Sequence, residues 1–175
     1  MSNEDHLNDY EKVNELICLA GGVITGRTRL QKIAYLLEIS GLGSGYSFKY
    51  HNYGPFCEEL ADSAKVANIL GVITEEEKET SWGGFYSIYS SSTAAKSPVN
   101  KAAEKIAHLG ADANSVVLEL AATAAYLSLD GSKKPWEKTK ELKPSKATQE
   151  RIAEAKSLYS ELSKIDLPEP LPELG

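Results

Sequence analysis

The chemistry-capable residues are few and scattered. The three histidines are His6, His51 and His108, and no two have the close spacing of a helix-borne metal pair. Only His51 lies near carboxylates, in the run His51-Asn52-Tyr53-Gly54-Pro55-Phe56-Cys57-Glu58-Glu59-Leu60. It reads either as a catalytic or ligating group or as a partly exposed histidine beside a turn. Glu58 and Asp62 are four apart and share a helix face, with Glu59 beside them. General acid–base work would need two such carboxyls facing one cavity. Acids at the front of a helix are also simply favoured by its positive end. Cys57 falls at about the third position of that helix, where the helix end can depress a thiol pKa, and His51 could approach across the turn; the alternative is plain packing.

Gly41, Gly43 and Gly45 alternate, but no Lys-Ser or Lys-Thr pair accompanies them, so they do not form a phosphate loop. Lys133, Lys134, Lys138, Lys140 and Lys143 surround Trp136. That stretch is either a nucleic-acid contact or a solvated surface balanced by Glu137 and Glu141. The aromatic set Tyr46, Phe48, Tyr50, Tyr53 and Phe56 is the best surface candidate. Tyr46, Phe48 and Tyr50 share one strand face, expected to point inward. Tyr53 reads equally as core packing or as a protein-binding anchor near Arg29 and Lys32, which form a small positive spot. The residues assemble no catalytic set and require no cofactor or metal, so the expectation is a non-enzyme.

The elements that must position these residues follow from periodicity and punctuation. Asn8 and Glu11 have capping-box spacing, and Tyr10, Val13, Ile17 and Ala20 recur at helical spacing until Gly21-Gly22. Thr25 is placed to cap a second helix whose face is Leu30, Ile33, Ala34 and Leu37. A Gly-rich bend leads to a short edge strand over residues 46–50. Gly54-Pro55 suits a turn into a helix start, with a helix over residues 56–70. Residues 72–74 and 85–89 read as a hairpin with a long loop and Trp82 near its tip. Residues 90–95 read as a linker, and Ser97-Pro98 as the start of a helix that Gly110 ends. Ser115 can cap a further helix closed by Asp130-Gly131. Residues 132–144 offer one short turn, and a last helix covers residues 147–164 before a Pro-rich, non-helical tail.

The expected fold is mostly α with a small β component, in winged-helix-like order, with C-terminal helices. The expected divisions are residues 1–95, a helical part over 96–166 packed on it, and a tail over 167–175. The chain of 175 residues is 42% hydrophobic, enough for one substantial core, and its net charge of −6 argues against steering toward nucleic acid. Two cysteines without metal-like spacing, no signal segment and no spanning apolar run point to the cytoplasm. Residues 1–7 are polar and expected to fray.

The run Arg29-Leu30-Gln31-Lys32-Ile33-Ala34-Tyr35-Leu36-Leu37, followed by residues 46–50, Tyr53-Gly54-Pro55-Phe56 and Leu60, resembles the Panacea domain family. That family includes SocA-like proteins and the antitoxins of prokaryotic and phage toxin–antitoxin pairs. The resemblance spans roughly residues 7–89, with a weaker similarity over 116–164. It implies a protein-binding antitoxin or adaptor that neutralises a toxin, or delivers a client protein, by direct contact. On the matching positions, Arg29, Lys32, Tyr35, Tyr50, Tyr53 and Phe56 would carry the partner surface, extended by Trp82 on the hairpin. Relatives commonly have serine where this chain has Cys57, which puts any role of that hydroxyl in doubt. The alternative is a winged-helix DNA-binding regulator, opposed by the acidic front of the helix that would enter the groove. A homodimer stays open.

Overall fold

The computed structural model describes residues 7–175, so the expected fray of the first residues and His6 lie outside the described residues. Asn8 and Glu11 form the capping box in both directions, each at 3.1 Å, and start α1 (Asp9–Leu19). The chain then turns through Gly21 and Gly22 into a short strand, β1 (Val23–Thr25). Its three residues are all β-branched and favour a strand, but the run is too short to stand out by itself. Its partner is distant: Val23, Ile24 and Thr25 face Ser90, Tyr89 and Ile88. Thr25 is therefore a strand residue, and the cap of α2 (Arg27–Ile39) is Gly26, which offers no side chain.

The aromatic segment also differs from expectation. Only Lys49–His51 forms a strand, β2, and it pairs with β3 (Gly54–Phe56) as a tight hairpin. Gly54-Pro55 is thus a strand and not a helix start. Helix α3 (Glu58–Ile69) begins after Cys57, which occupies the cap position. Strands β4 (Ile73–Glu79) and β5 (Phe85–Ser91) lengthen the expected hairpin into its loop and into the supposed linker, leaving Trp82 at the tip. The three-stranded sheet has the order β1-β5-β4. Helix, strand, helix, helix, hairpin is the winged-helix order, with β2–β3 inserted before α3.

Helix α4 (Lys101–Asp112) starts later than Ser97-Pro98 would place it, because Asn100 supplies the cap, accepting from the Ala103 N–H at 3.0 Å. The backbone N–H groups of Lys96 and Ser97 bond Glu15 instead, which ties the approach to α1. Gly110 does not end α4; it lies within the helix against Ile33 of α2. Asn114, not Ser115, caps α5 (Ser115–Leu129), accepting from Val116 and Val117. The Lys- and Pro-rich segment forms a full helix, α6 (Pro135–Leu142), with proline at a position that needs no N–H. Thr148 caps α7 (Gln149–Ser163).

Among the described residues this gives seven helices and five strands in two sheets, a mostly helical fold. One continuous core runs from Val13 to Leu174. Its centre is α5, where Val117, Leu118, Leu120, Ala121, Ala122, Ala124 and Ala125 are all buried. The small side chains let α2, α6, α7 and β3 approach α5 together. The tail docks as extended chain: Leu171 and Leu174 are buried, and the Glu169 N–H donates to Ser40 O at 3.0 Å.

The α2–α4 contact sets a test. A Cβ on Gly110 would sit 2.6 Å from Ile33 Cγ1, inside a fully buried side chain. Alanine is the better helix former, but the overlap outweighs that gain, so Gly110→Ala should destabilise by about 1–3 kcal/mol in urea unfolding.

Candidate functional site

The β2–β3 hairpin is held by two consecutive side chains of α2. The Gln31 amide bonds Cys57 twice: its Nε2 donates to Cys57 O at 2.9 Å, and its Oε1 accepts from the Cys57 N–H at 2.8 Å. Lys32 Nζ donates to Pro55 O at 2.8 Å. Both side chains are buried, and Lys32 is only 1% exposed. The expected positive surface spot of Arg29 and Lys32 therefore does not exist. Lys32 is inside, and Arg29 is half-buried, donating to the carbonyls of Thr25, Gly110 and Ala113. Burial drives the Lys32 pKa down to about 7.

A second set of contacts grips the hairpin from the C-terminal half. Glu119 of α5 is buried and bonds Lys143 at 2.7 Å and Lys146 at 3.0 Å. Lys143 also donates to Asn52 O at 3.0 Å. Lys143 is thus a buried ion-pair member and not part of an exposed basic stretch. The Lys146 ammonium lies 4.5 Å from the centre of the Tyr53 ring, and Lys143 lies 5.9 Å from that of Tyr50. Gly54 seats the hairpin on α5: it has φ +88°, and a Cβ there would meet Thr123 Oγ1 at 2.5 Å.

The structure separates the expected partner residues into two groups. Tyr35 is buried, edge-on to Phe48 at 5.2 Å, so with Lys32 it supports the hairpin from within. Tyr50 is partly exposed, and Phe56 is half-buried under the His51 ring at 4.9 Å. Tyr53 is 58% exposed and Trp82 79% exposed. Tyr53 thus belongs to the surface. Tyr46, Phe48 and Tyr50 are progressively less buried and do not form one inward face, because only the last belongs to a strand.

A groove of about 820 Å³ is lined by Tyr53 and Phe56, by residues 27–32 of α2 and by Phe85 and Tyr86 of β5. Glu58, Glu59 and Asp62 are exposed and none lines this groove. Cys57 is buried and its thiol is pushed up by that burial, the reverse of activation by a helix end. His51 stands exposed on the hairpin. These groups do not converge. Lys134–Glu137 and Lys138–Glu141 pair on α6, while Trp136 is buried edge-on to Tyr159, so that helix offers no exposed aromatic platform. Among the described residues, no group of three or more His, Cys, Asp or Glu side chains is placed to hold a metal ion.

The arrangement defines a mostly helical fold, its first elements in winged-helix-like order, carrying a moored aromatic hairpin. No protein-family model, curated protein or solved structure matches the chain.

Two measurements probe the moorings. An unfolded lysine keeps its ordinary value of 10.5, so between pH 7 and that value the unfolded chain binds more protons than the folded one. Stability should therefore rise with pH from 7 to 9, by up to roughly 1 kcal/mol per pH unit. Lys32→Met should abolish that slope in denaturation curves collected across the range. Glu119→Gln strands the buried Lys143 ammonium and should cost about 3–5 kcal/mol in the same assay.

Proposed function

We propose that the chain is a non-enzymatic protein-binding antitoxin or adaptor, which neutralises or delivers a partner by direct contact. The observation that carries this reading is the mounting of Tyr53. A large aromatic ring is exposed at the mouth of a groove, yet the hairpin bearing it is fixed by buried Lys32, Lys143 and Gln31. A rigid exposed aromatic loses little entropy on binding and suits a hot spot. Trp82 and Phe85 on the wing extend the apolar surface available to the same partner. The toxin as partner rests on the resemblance to the Panacea domain family.

The fold order also supports a DNA-binding regulator, but the charges oppose it. Helix α3 presents Glu58, Glu59 and Asp62 to solvent, and β4 presents Glu76, Glu77 and Glu79. Phosphates would be repelled by both elements that a winged helix uses. Among the described residues no helix is long and apolar enough to cross a membrane. We assign the activity to the cytoplasm, where the free thiols Cys18 and Cys57 stay reduced.

The test is a search of the encoding neighbourhood for a small toxin-like protein, followed by a calorimetric titration of this chain with it. Binding should be at least about tenfold weaker with Tyr53→Ala and with Trp82→Ala, as expected for aromatic anchors. Binding no tighter than that of an unrelated protein would remove this reading. A gel shift on duplex DNA should be absent.

A further inference from the structure

We infer that Thr80 and Gly84 are positioning residues, which together hold the exposed ring of Trp82 in one pose at the wing tip for the partner to meet. This rests on the protein-binding reading and adds to it two residues that act through Trp82.

The loop between β4 and β5 is closed by hydrogen bonds of its own. The Thr80 N–H donates to Gly84 O at 2.7 Å, and the Gly83 N–H donates to Thr80 O at 3.2 Å. The Thr80 side chain bridges the same ends a second time. Its Oγ1 accepts from the Gly84 N–H at 2.8 Å and donates to Gly84 O at 3.0 Å. Gly83 has φ +87°, where any side chain is strained. The path of the loop past Trp82 is thus fixed from both sides.

Gly84 supplies the seat. A Cβ on it would lie 2.3 Å from Cζ3 and 2.6 Å from Cη2 of Trp82, so the six-membered ring rests where a side chain would otherwise stand. Trp82 is nonetheless 79% exposed. A ring that is exposed and already seated has less rotamer freedom to lose on binding than one that swings freely. The needs of the core do not account for the seat, because Trp82 lies outside the core cluster. Gly84 itself has no positive φ. The close approach of Trp82, and not backbone strain, is what a side chain there would disturb.

The experiment is nuclear magnetic resonance on the full chain, read at the Trp82 indole N–H, which Trp82→Ala assigns. The expected result is a nitrogen–proton nuclear Overhauser effect close to that of the β4 and β5 amides, in the unmodified chain and in Thr80→Ser. It should be largely lost in Thr80→Val and in Gly84→Ala. Gly84→Ala should leave the urea midpoint unchanged, because an exposed ring swings clear of a new methyl group. In calorimetry with the toxin-like partner, Gly84→Ala should weaken binding several-fold and add nothing to the effect of Trp82→Ala, as residues acting through one side chain do. A mobile indole in the unmodified chain, or an ordered one that ignores both Thr80→Val and Gly84→Ala, overturns the inference. A urea midpoint lowered by Gly84→Ala also overturns it, by giving that glycine a role in the fold. So does a partner that needs Trp82 and ignores Gly84→Ala. Each of these results leaves the protein-binding reading standing. A partner indifferent to Trp82→Ala removes the part of that reading which uses Trp82, and this inference with it.

Discussion

A buried ammonium group reaching a backbone carbonyl organises the domain. Lys32 has left water almost completely, and the effective cost of such a transfer is several kcal/mol. Burial lowers its pKa to about 7, so it carries its charge below neutral pH, where Pro55 O and the field of Glu119 support it, and as a neutral amine above that it can still donate to Pro55 O. The hairpin must therefore remain seated. Gln31, one residue earlier, fixes the next backbone unit through Cys57, and so sets where α3 begins. Two adjacent side chains of α2 thus determine the height of the hairpin, the entry of α3 and the presentation of Tyr53. In this chain the α2 side chains and the hairpin backbone each supply what the other leaves unsatisfied.

Much of the fold was legible in the sequence, where the signal was local. Asn8 and Glu11 cap α1 through contacts three residues apart, and Leu30, Ile33, Ala34 and Leu37 of α2 are buried as their periodicity requires. What was not legible depends on distant partners. Three residues of β1 look like a helix approach until Ser90, Tyr89 and Ile88 are known to lie beside them. Gly54-Pro55 carries the local signature of a helix start, but pairing with Tyr50 and His51 holds it extended. Gly110 looks like a stop signal and is a contact surface, because Ile33 fills the space where its side chain would be. The candidate site divides in the same way. Trp82 was readable as an exposed tip, whereas a lysine on a helix carries no mark that it will be buried against a carbonyl from another element. Glu119 was missed for that reason too: its lysine partners come from beyond α6.

The winged order and the surface charge point in different directions, and the charge bears more directly on function. Fold order records how helices and a hairpin share one core, and many activities use the same arrangement. The side chains that face solvent on α3 and β4 are what an approaching molecule meets. In this chain they are mostly acidic, with Lys65 and Lys78 beside Asp62 and Glu76, while Lys32 and Lys143 are buried behind the hairpin.

The centrality of α5 has a consequence for how the protein is made. The winged half is synthesised before α5 and the segment after α6 exist, and those later residues supply Glu119, Thr123, Lys143 and Lys146. Until they emerge from the ribosome, Lys32 has no carboxylate to face and Gly54 has no seat. Chains grow from the N-terminus, and early segments wait for late ones when their contacts are non-local. Tyr53 therefore acquires its mounted position only after the segment that carries Lys143 and Lys146 has been made.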